Sequence, residues 1–418
     1  MSSALPEHAA PESPRLLRAV FGTTFFIRFG FGLTLSIFAS YFARHSVGLG
    51  GGSVGTVGLL GALAPIGEFT TVLISGLAAD RYGRFPILLG GTVAASVLLA
   101  VMSLGRSAAL LGSSNLLFGV ASGAILAASL AVVADQSGRG ERGLEMGRFD
   151  AVNLLGYILG FASGLGALGP LPNSDLPWLF RLGAAVLLAG FLFALLSVRG
   201  FTEPDYRNTF QLWRVRDAIL RRDVLLVVLP WLVIYMLIGT AFIFLPSAAT
   251  GAGISTTWLA LAIGGGGLLL LLTQPWFGRQ ADLRGRPLFL LLGTIGFVSI
   301  LILAGSIPVY GPRPPILVGI GVSAFFALGY GPAALASLAD VSQSLTRGTT
   351  MAVYSLVISL GMIIGLVVST TFYSAYGFFG LDLFFGLVAG GLVLLTFLRL
   401  NDLRRPVPVD PARNSPGS

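Results

Sequence analysis

Twelve long apolar runs, separated by short polar or glycine-rich segments, make up most of the sequence. Each is about 20 residues or longer, the length that an α-helix needs to cross a hydrocarbon core of about 30 Å. Charged residues account for 11% of the chain, whereas a soluble globular protein carries roughly 25%. We therefore expect an all-α membrane protein with twelve transmembrane helices. The predicted spans are residues 19–43, 53–78, 85–105, 107–135, 144–168, 177–199, 223–249, 256–279, 286–308, 313–340, 347–373 and 378–399.

A charged loop between the second and third runs is repeated between the eighth and ninth. The pattern Ala-Asp-x-x-Gly-Arg lies within Gly76–Arg84 and again within Gly278–Arg286, and its aspartates, Asp80 and Asp282, are 202 residues apart. The glycine suits a tight turn, because it has no Cβ to obstruct a left-handed backbone. The arginines suit the phosphates of lipid headgroups.

A second set of positions repeats at a spacing of 205 residues. The positions are Ala134, Asp135, Arg142, Gly143, Met146, Gly156 and Gly160 in the first half and Ala339, Asp340, Arg347, Gly348, Met351, Gly361 and Gly365 in the second. The chain is therefore predicted to form two pseudo-symmetric six-helix bundles, a parallel duplication that is common among transporters.

The domain boundaries follow from the apolar runs. Residues 1–14 and 404–418 are polar and contain several prolines, so both are predicted to be disordered tails. Residues 15–199 and 223–403 are predicted to be the two bundles. The linker, 200–222, has apolar residues at helical spacing among arginines. This pattern predicts an amphipathic helix at the inner membrane surface, with a solvated linker that only joins the halves as the alternative.

The distribution of arginine indicates the orientation. All 26 basic residues are arginines, and 21 of them lie on the side of the two termini. The opposite side contains Arg44, Arg106, Arg181 and Arg313, and Arg28 lies within a span. Because an excess of positive charge marks the cytoplasmic side, we predict a multi-pass protein of the cytoplasmic (plasma) membrane with both termini in the cytoplasm.

The chain lacks the residues that several classes of catalytic and metal-binding site need. The chain has no cysteine and only two histidines, which argues against disulfides, thiol catalysis and metal sites built on thiolates or histidines. No glycine-rich phosphate loop with a following lysine is present, so ATP-driven pumping has no support. The net charge of +8 belongs to the loops of a membrane protein and does not indicate nucleic acid. We predict no enzyme activity, metal or cofactor.

The loop Gly76-x-x-x-Asp80-Arg81-x-Gly83-Arg84, placed after span 2 of a duplicated twelve-span chain, resembles the signature of the major facilitator superfamily. The resemblance covers about residues 15–403. It implies two bundles around a central cavity, transport by alternating access, and a monomer. It also implies a cytoplasmic latch, with loop charges that only set topology as the alternative. The predicted latch residues are Gly76, Asp80, Arg81, Gly83, Arg84, Asp135, Arg142, Asp150, Asp282, Arg286, Asp340 and Arg347.

The sequence departs from the drug–proton antiporters of that family in two places. Asn115 stands four residues before Gly119, where those exporters often carry an arginine. Span 5 also lacks their glycine-proline motif, because Pro170 comes too late to complete it.

Two opposite charges are predicted at the middle of the membrane. Arg28 lies nine residues after Ala19 and Glu68 lies nine residues before Leu77, near the inner ends of their apolar runs; nine residues span about 14 Å along a helix. A charge at this depth is costly unless it is paired or faces water. We predict an Arg28–Glu68 pair in the central cavity that binds substrate or a proton. The alternative is a static pair that holds two helices together.

Other polar residues are predicted to line the cavity: Asn115, Asn153, Tyr235, Gln274 and Tyr330. The alternative for each is a hydrogen bond that joins neighbouring helices. Small-residue spacing at Gly156-x-x-x-Gly160, repeated in span 11, permits close helix contact and is predicted to let these spans slide against the other half.

The predicted function is secondary active or facilitative transport of a small organic solute, either as symport or as antiport, with protons as the possible coupling ion. Arg28 favours an anionic or zwitterionic substrate. Phenylalanines that flank it favour the alternative, an exporter of amphiphilic drugs or lipids. A third hypothesis is a membrane sensor of the same fold that transports nothing, although signature loops in both halves argue against it.

Overall fold

The structure is a computed structural model, and the residues that it describes are helical almost throughout. They are residues 14–45, 54–105, 107–136, 142–168, 176–199, 222–251, 255–311, 313–341 and 347–403. Nearly all of the predicted tails and linker lie outside these ranges. Ten of the described helices are long and apolar enough to cross a membrane, and two shorter apolar stretches, Val227–Phe242 and Leu383–Leu392, lie at the positions of spans 7 and 12.

The first six spans are uninterrupted helices. Spans 1 to 6 are Pro14–His45, Val54–Tyr82, Arg84–Met102, Ala108–Gln136, Arg142–Leu168 and Leu176–Val198. They pack into one bundle, in which span 1 lies against spans 5 and 6 and span 4 lies against spans 2 and 3. The sequence-based boundaries of these spans therefore agree with the structure to within a few residues, except that the helices of spans 1 and 2 extend beyond their apolar runs.

The second bundle contains broken helices. Span 7 is Arg222–Gly251, span 8 comprises Thr256–Leu261, the π-helical turn Ala262–Gly266, Gly267–Leu271 and Gln274–Arg284, span 9 is Arg286–Tyr310, and span 10 comprises Pro314–Ala327 and Tyr330–Val341. The turn in span 8 coincides with four consecutive glycines, which weaken a regular helix. Ser255 begins span 8 as an N-cap, since its side chain accepts a hydrogen bond from the Trp258 amide, a role for which serine is well suited.

Spans 11 and 12 belong to one helical segment, Arg347–Leu403, that folds back on itself. The ring centroids of Phe372 and Phe384 are 5.8 Å apart, although twelve residues of straight helix would advance about 18 Å. A Cβ on Gly380 would lie 2.5 Å from the carbonyl oxygen of Phe372, so this glycine allows the close approach. The chain thus reverses between the two spans.

Glycines bring the helices of each half into backbone contact. A Cβ on Gly156 would lie 2.6 Å from the Phe25 carbonyl oxygen of span 1, and Gly361 has the same distance to the Leu232 carbonyl oxygen of span 7. Spans 5 and 11 do lie against the other half, but these glycines are not the residues that make that contact. They pack within their own half, because the small-residue stripe of each helix faces the neighbour that can approach most closely.

The two halves meet along spans 2 and 11 and along spans 5 and 8. We call the end of the helices with the Gly76–Arg84 and Gly278–Arg286 loops the signature end. There, a Cβ on Gly147 of span 5 would lie 2.9 Å from the Gln274 carbonyl oxygen of span 8. Toward the opposite end, a Cβ on Gly58 of span 2 would lie 2.5 Å from Thr370 Cγ2 of span 11. Described residues of the two halves are therefore in contact near both ends of the helices.

Candidate functional site

The predicted pair of midplane charges forms at the centre of the first bundle. Arg28 is 0% exposed and Glu68 is 1% exposed. An Arg28 guanidinium nitrogen, Nη1, lies 3.3 Å from Glu68 Oε2, and Nη2 lies 3.5 Å from Oε1. Removing two charges from water is costly, so such a pair persists only where further hydrogen bonds satisfy the remaining donors and acceptors.

Three further residues of the first half supply those hydrogen bonds. Arg28 Nε donates to Asn153 Oδ1 at 2.9 Å, and Nη1 donates to the Tyr157 hydroxyl at 2.8 Å and to Ser122 Oγ at 3.2 Å. Ser122 Oγ in turn donates to Glu68 Oε2 at 3.0 Å. Spans 1, 2, 4 and 5 thus converge on one guanidinium.

The second half contributes Ser355 of span 11. Its Oγ donates to Glu68 Oε1 at 2.8 Å, and the side chain is fully buried. We call the six residues that meet here, Arg28, Glu68, Ser122, Asn153, Tyr157 and Ser355, the central cluster. It lies within the first bundle and reaches across to the other half through one serine.

Aromatic rings cover one side of the central cluster. The guanidinium carbon of Arg28 lies 5.8 Å from the ring centroid of Phe31 and 5.0 Å from that of Tyr157, within the range of cation–π attraction. Phe242 of span 7 packs against Phe161 at 4.6 Å and stacks on Tyr157 at 6.3 Å. The surroundings of the charges are therefore both polar and aromatic.

Sequence reasoning found half of the central cluster. Arg28, Glu68 and Asn153 were predicted, whereas Ser122, Tyr157 and Ser355 were not. Tyr157 had a usable signal, because residues four apart on a helix share a face and Asn153 was already a candidate. The serines had none, since apolar helices contain many serines that bond only to their own backbone.

Asn115 joins two helices and borders a small cavity. Its Nδ2 donates to the Leu60 carbonyl oxygen of span 2 at 3.1 Å, and its buried Oδ1 has no partner among the described residues. The cavity beside it is lined by Phe31, Thr34, Leu35, Gly61, Ala64, Asn115 and Phe118. It lies in the first bundle, and Phe31 separates it from Arg28.

The remaining predicted cavity residues have their described contacts elsewhere. The Tyr330 hydroxyl donates to the Val227 carbonyl oxygen at 2.6 Å, which joins span 10 to span 7. Tyr235 is buried against Trp231 at 6.4 Å between ring centroids. Gln274 is buried near the signature end, with an Oε1 that has no partner within the described ranges. No group of acidic, histidine or cysteine residues in the described part could hold a metal ion.

The repeated signature loops have the same backbone and the same arginine contact. Gly83 and Gly285 have φ values of 97° and 93°, the left-handed conformation that their sequence predicts. Arg84 donates to the Ala131 carbonyl oxygen at 2.8 Å, and Arg286 donates to that of Ala336 at 2.7 Å. Residues 131 and 336 are again 205 apart, so the duplication extends to side-chain contacts.

Each signature arginine also has a carboxylate partner in its own half. Arg84 pairs with Asp135, and Arg286 pairs with Asp282 at 3.5 Å. Arg81 is exposed and lies 5.4 Å from the ring of Tyr82, while Gly76 is buried. The side chains of four other predicted latch residues lie outside the described part of the structure: Asp80, Arg142, Asp340 and Arg347.

Asp150 makes a contact between the halves. This carboxylate of span 5 is 2% exposed, and its Oδ2 occupies the space that a Cβ on Gly331 of span 10 would fill. Gly331 lies in the first turn of the helix Tyr330–Val341. The absence of a side chain at residue 331 therefore allows span 5 to approach span 10 near the signature end.

Gly331→Ala should consequently weaken the contact between the halves. The added methyl group forces the Asp150 carboxylate or span 10 to move, and we expect the free energy of unfolding to fall by about 1–3 kcal/mol. Thermal unfolding in detergent measures the change. Gly321→Ala in the same span is the matched control, because a Cβ there meets nothing within 4 Å. In an Asp150→Ala background, Gly331→Ala should cost much less than it does in the wild-type protein, and an equal cost in both backgrounds would contradict this explanation.

Comparisons with known proteins agree with this architecture. The family model described as Major Facilitator Superfamily matches residues 20–273 and 232–417. A crystal structure of the human organic anion transporter MFSD10 (TETRAN) superposes with a TM-score of 0.75 and 20% sequence identity, over 92% of this chain and 99% of that chain. No curated protein sequence matches significantly. At 20% sequence identity, this structural similarity shows a shared fold.

Proposed function

The chain belongs to the major facilitator superfamily of membrane transporters, and from this premise we propose that it carries a small organic anion or zwitterion by alternating access, with Arg28 as the substrate-binding cation. The observation that carries the proposal is the central cluster. A buried arginine with a carboxylate partner, set at the junction of four spans and touched by the second half, is costly to maintain as a scaffold.

The balance of charge between Arg28 and Glu68 suggests how the site binds an anionic substrate. In the described state the Arg28 guanidinium is neutralised by Glu68, so an anion must compete with that carboxylate. Protonation of Glu68 removes the competitor and leaves the guanidinium free to pair with a substrate carboxylate. The proposed cycle therefore couples one proton at Glu68 to one anionic group at Arg28. If Glu68→Gln retains proton-coupled flux, this coupling scheme is wrong.

The signature end supplies the proposed latch. Arg84 and Arg286 bind the carbonyl oxygens of spans 4 and 10 in their own halves, whereas Asp150 and Gly147 lie at contacts between the halves. We propose that these contacts form and break as the cytoplasmic face closes and opens. The excess of arginine at this end supports the cytoplasmic assignment and a place in the plasma membrane.

A second candidate function follows from the aromatic rings. Phe31, Tyr157, Phe161 and Phe242 form a continuous set of contacts beside Arg28. Such a wall would suit the apolar part of an amphiphile, and an exporter of amphiphilic compounds would use it without needing the guanidinium.

A ligand panel on the purified protein separates the two functions. The polar set is benzoate, glutarate and glutamate, and the amphiphilic set is rhodamine 6G, ethidium and lysophosphatidylcholine. A compound present at about 100 times its dissociation constant should stabilise the protein by about 2.7 kcal/mol, which thermal unfolding in detergent detects. We expect stabilisation by at least one member of the polar set.

The control removes the charges without leaving one of them buried alone. In the variant Arg28→Met with Glu68→Met, the response to the polar set should disappear. Stabilisation by amphiphiles only, unchanged in this variant, would favour the exporter and reduce the central pair to a scaffold.

A further inference from the structure

We propose that Ser355 couples the charge state of the central cluster to the separation of the two halves. The inference rests on the proposed function, because it assigns to Glu68 a change of charge during transport. It concerns one contact, the hydrogen bond from Ser355 Oγ to Glu68 Oε1, 2.8 Å long and spanning 287 positions of sequence.

The bond is strong only while Glu68 is negatively charged. A hydrogen bond to an ionised acceptor is roughly twice as strong as one between neutral groups, and both side chains are buried, where water does not compete. The charged or titratable described groups that face Glu68 are Arg28 of span 1 and Tyr157 of span 5, and the hydroxyl of Ser122 in span 4 completes its surroundings. Neutralising Glu68 therefore weakens its hold on span 11.

Ser355 has an alternative acceptor when it releases Glu68. Hydroxyls in this chain commonly donate to the carbonyl oxygen four residues earlier, as Ser359 does to Ser355 at 2.7 Å and Thr240 does to Met236 at 2.9 Å. The corresponding acceptor for Ser355 is the carbonyl of residue 351 in the same helix. The hydroxyl can thus change partners by rotation, and no buried donor is left unsatisfied when the halves part.

The position of Ser355 in the duplicated fold supports the same role. Residue 355 is the repeat equivalent of Asp150, again 205 positions apart, and both lie eight residues inside their helices. Asp150 also touches the other half, at Gly331. The same place in spans 5 and 11 therefore carries a contact between the halves, and only the span 11 contact involves the central cluster directly.

Apolar packing surrounds the bond on the face that span 2 presents to span 11. Val72 of span 2 and Ala127 of span 4 are fully buried, and Leu356 of span 11 packs against them. The strength of these apolar contacts does not depend on the charge of Glu68, whereas the strength of the Ser355 hydrogen bond does. Val72 lies one helical turn closer to the signature end than Glu68 does, so loss of that bond should open the span 2 and span 11 interface on this side.

Distances between spin labels test the inference in the full chain. The chain has no cysteine, so introduced pairs are free of background. Tyr82→Cys with Leu283→Cys reports on the signature end, and Leu104→Cys with Tyr376→Cys reports on the opposite end; these four side chains are 65–70% exposed. Ser355→Ala should raise the ratio of open to closed molecules at the signature end about tenfold, the size expected for a hydrogen bond to a charged group.

Three further variants distinguish coupling from simple packing. Ser359→Ala removes a buried hydroxyl one turn away and should leave the distances unchanged. Ser355→Thr keeps the hydroxyl and should retain the wild-type distances. Glu68→Gln leaves Ser355 only a neutral amide oxygen as acceptor, so it should shift the signature end in the same direction as Ser355→Ala does. The shift in the double variant should be smaller than the sum of the two, because both changes act on the same bond.

Two outcomes would overturn the inference. Wild-type distances in Ser355→Ala would show that the bond does not hold the halves together. Shifts that add in the Ser355→Ala and Glu68→Gln double variant would show that the two residues act separately. A ligand panel without a response to polar compounds would instead count against the proposed substrate class, so the two failures are distinguishable.

Discussion

Replacing Arg28 by methionine should lower the free energy of unfolding by about 3–5 kcal/mol, because the Glu68 carboxylate would stay buried without its counter-ion. The guanidinium also makes hydrogen bonds with Asn153, Tyr157 and Ser122, and these partners lose their donor at the same time. Thermal unfolding of the purified protein in detergent measures the change.

The control is the double variant Arg28→Met with Glu68→Met. Replacing a whole buried ion pair by apolar side chains is often neutral in stability, whereas removing one member is not. The double variant should therefore be more stable than either single variant. If the loss in the double variant equals the sum of the two single losses, the charges do not interact as the 3.3 Å contact indicates.

Gly119→Ala should be the most damaging of the small substitutions in the first bundle. A Cβ at this position of span 4 would lie far closer to the Ala64 carbonyl oxygen in span 2 than van der Waals contact allows. Gly67 of span 2 approaches the Leu116 carbonyl oxygen in the same way. Because backbone on both sides must shift, we expect a loss of about 3 kcal/mol, the upper end of the usual cost of overpacking.

Gly90→Ala in span 3 is the matched control for that variant. A Cβ there meets nothing within 4 Å, so the substitution should stabilise the helix by about 0.5–1 kcal/mol through its better propensity. Melting temperatures of the two variants in the same detergent provide the comparison. Equal effects at the two positions would mean that spans 2 and 4 are not held together by backbone contact.

The local features of the fold could be read from the sequence. Runs of about 20 apolar residues predict helices, because lipid offers no hydrogen bonds to an exposed backbone. The repeats at 202 and 205 residues predict the duplication, and the structure places equivalent arginines on equivalent carbonyl groups. The positive φ of Gly83 and Gly285 follows from the turn that links two antiparallel helices.

The level of a charge along its helix could also be read, and it led to half of the central cluster. Arg28 and Glu68 stand out because charges in apolar runs are rare and costly, and equal distances from the helix ends bring them to one level. It is much harder to predict which neighbouring helix each face of a helix packs against, because nearly every residue on every face is apolar. Gly156 and Gly160 are an example: their spacing predicts a close helix contact, but only the structure shows that the partner helix is span 1 of their own half.

The number of helices, the repeat and the pair of opposite charges were thus contained in the sequence, because each is a property of a short segment or of two segments compared. The docking of the halves was not. Ser355 contacts Glu68 across 287 positions, and Asp150 reaches Gly331, only because two rigid bundles meet with particular faces. A serine or a glycine in an apolar helix carries no sign of its partner until that packing brings the two together.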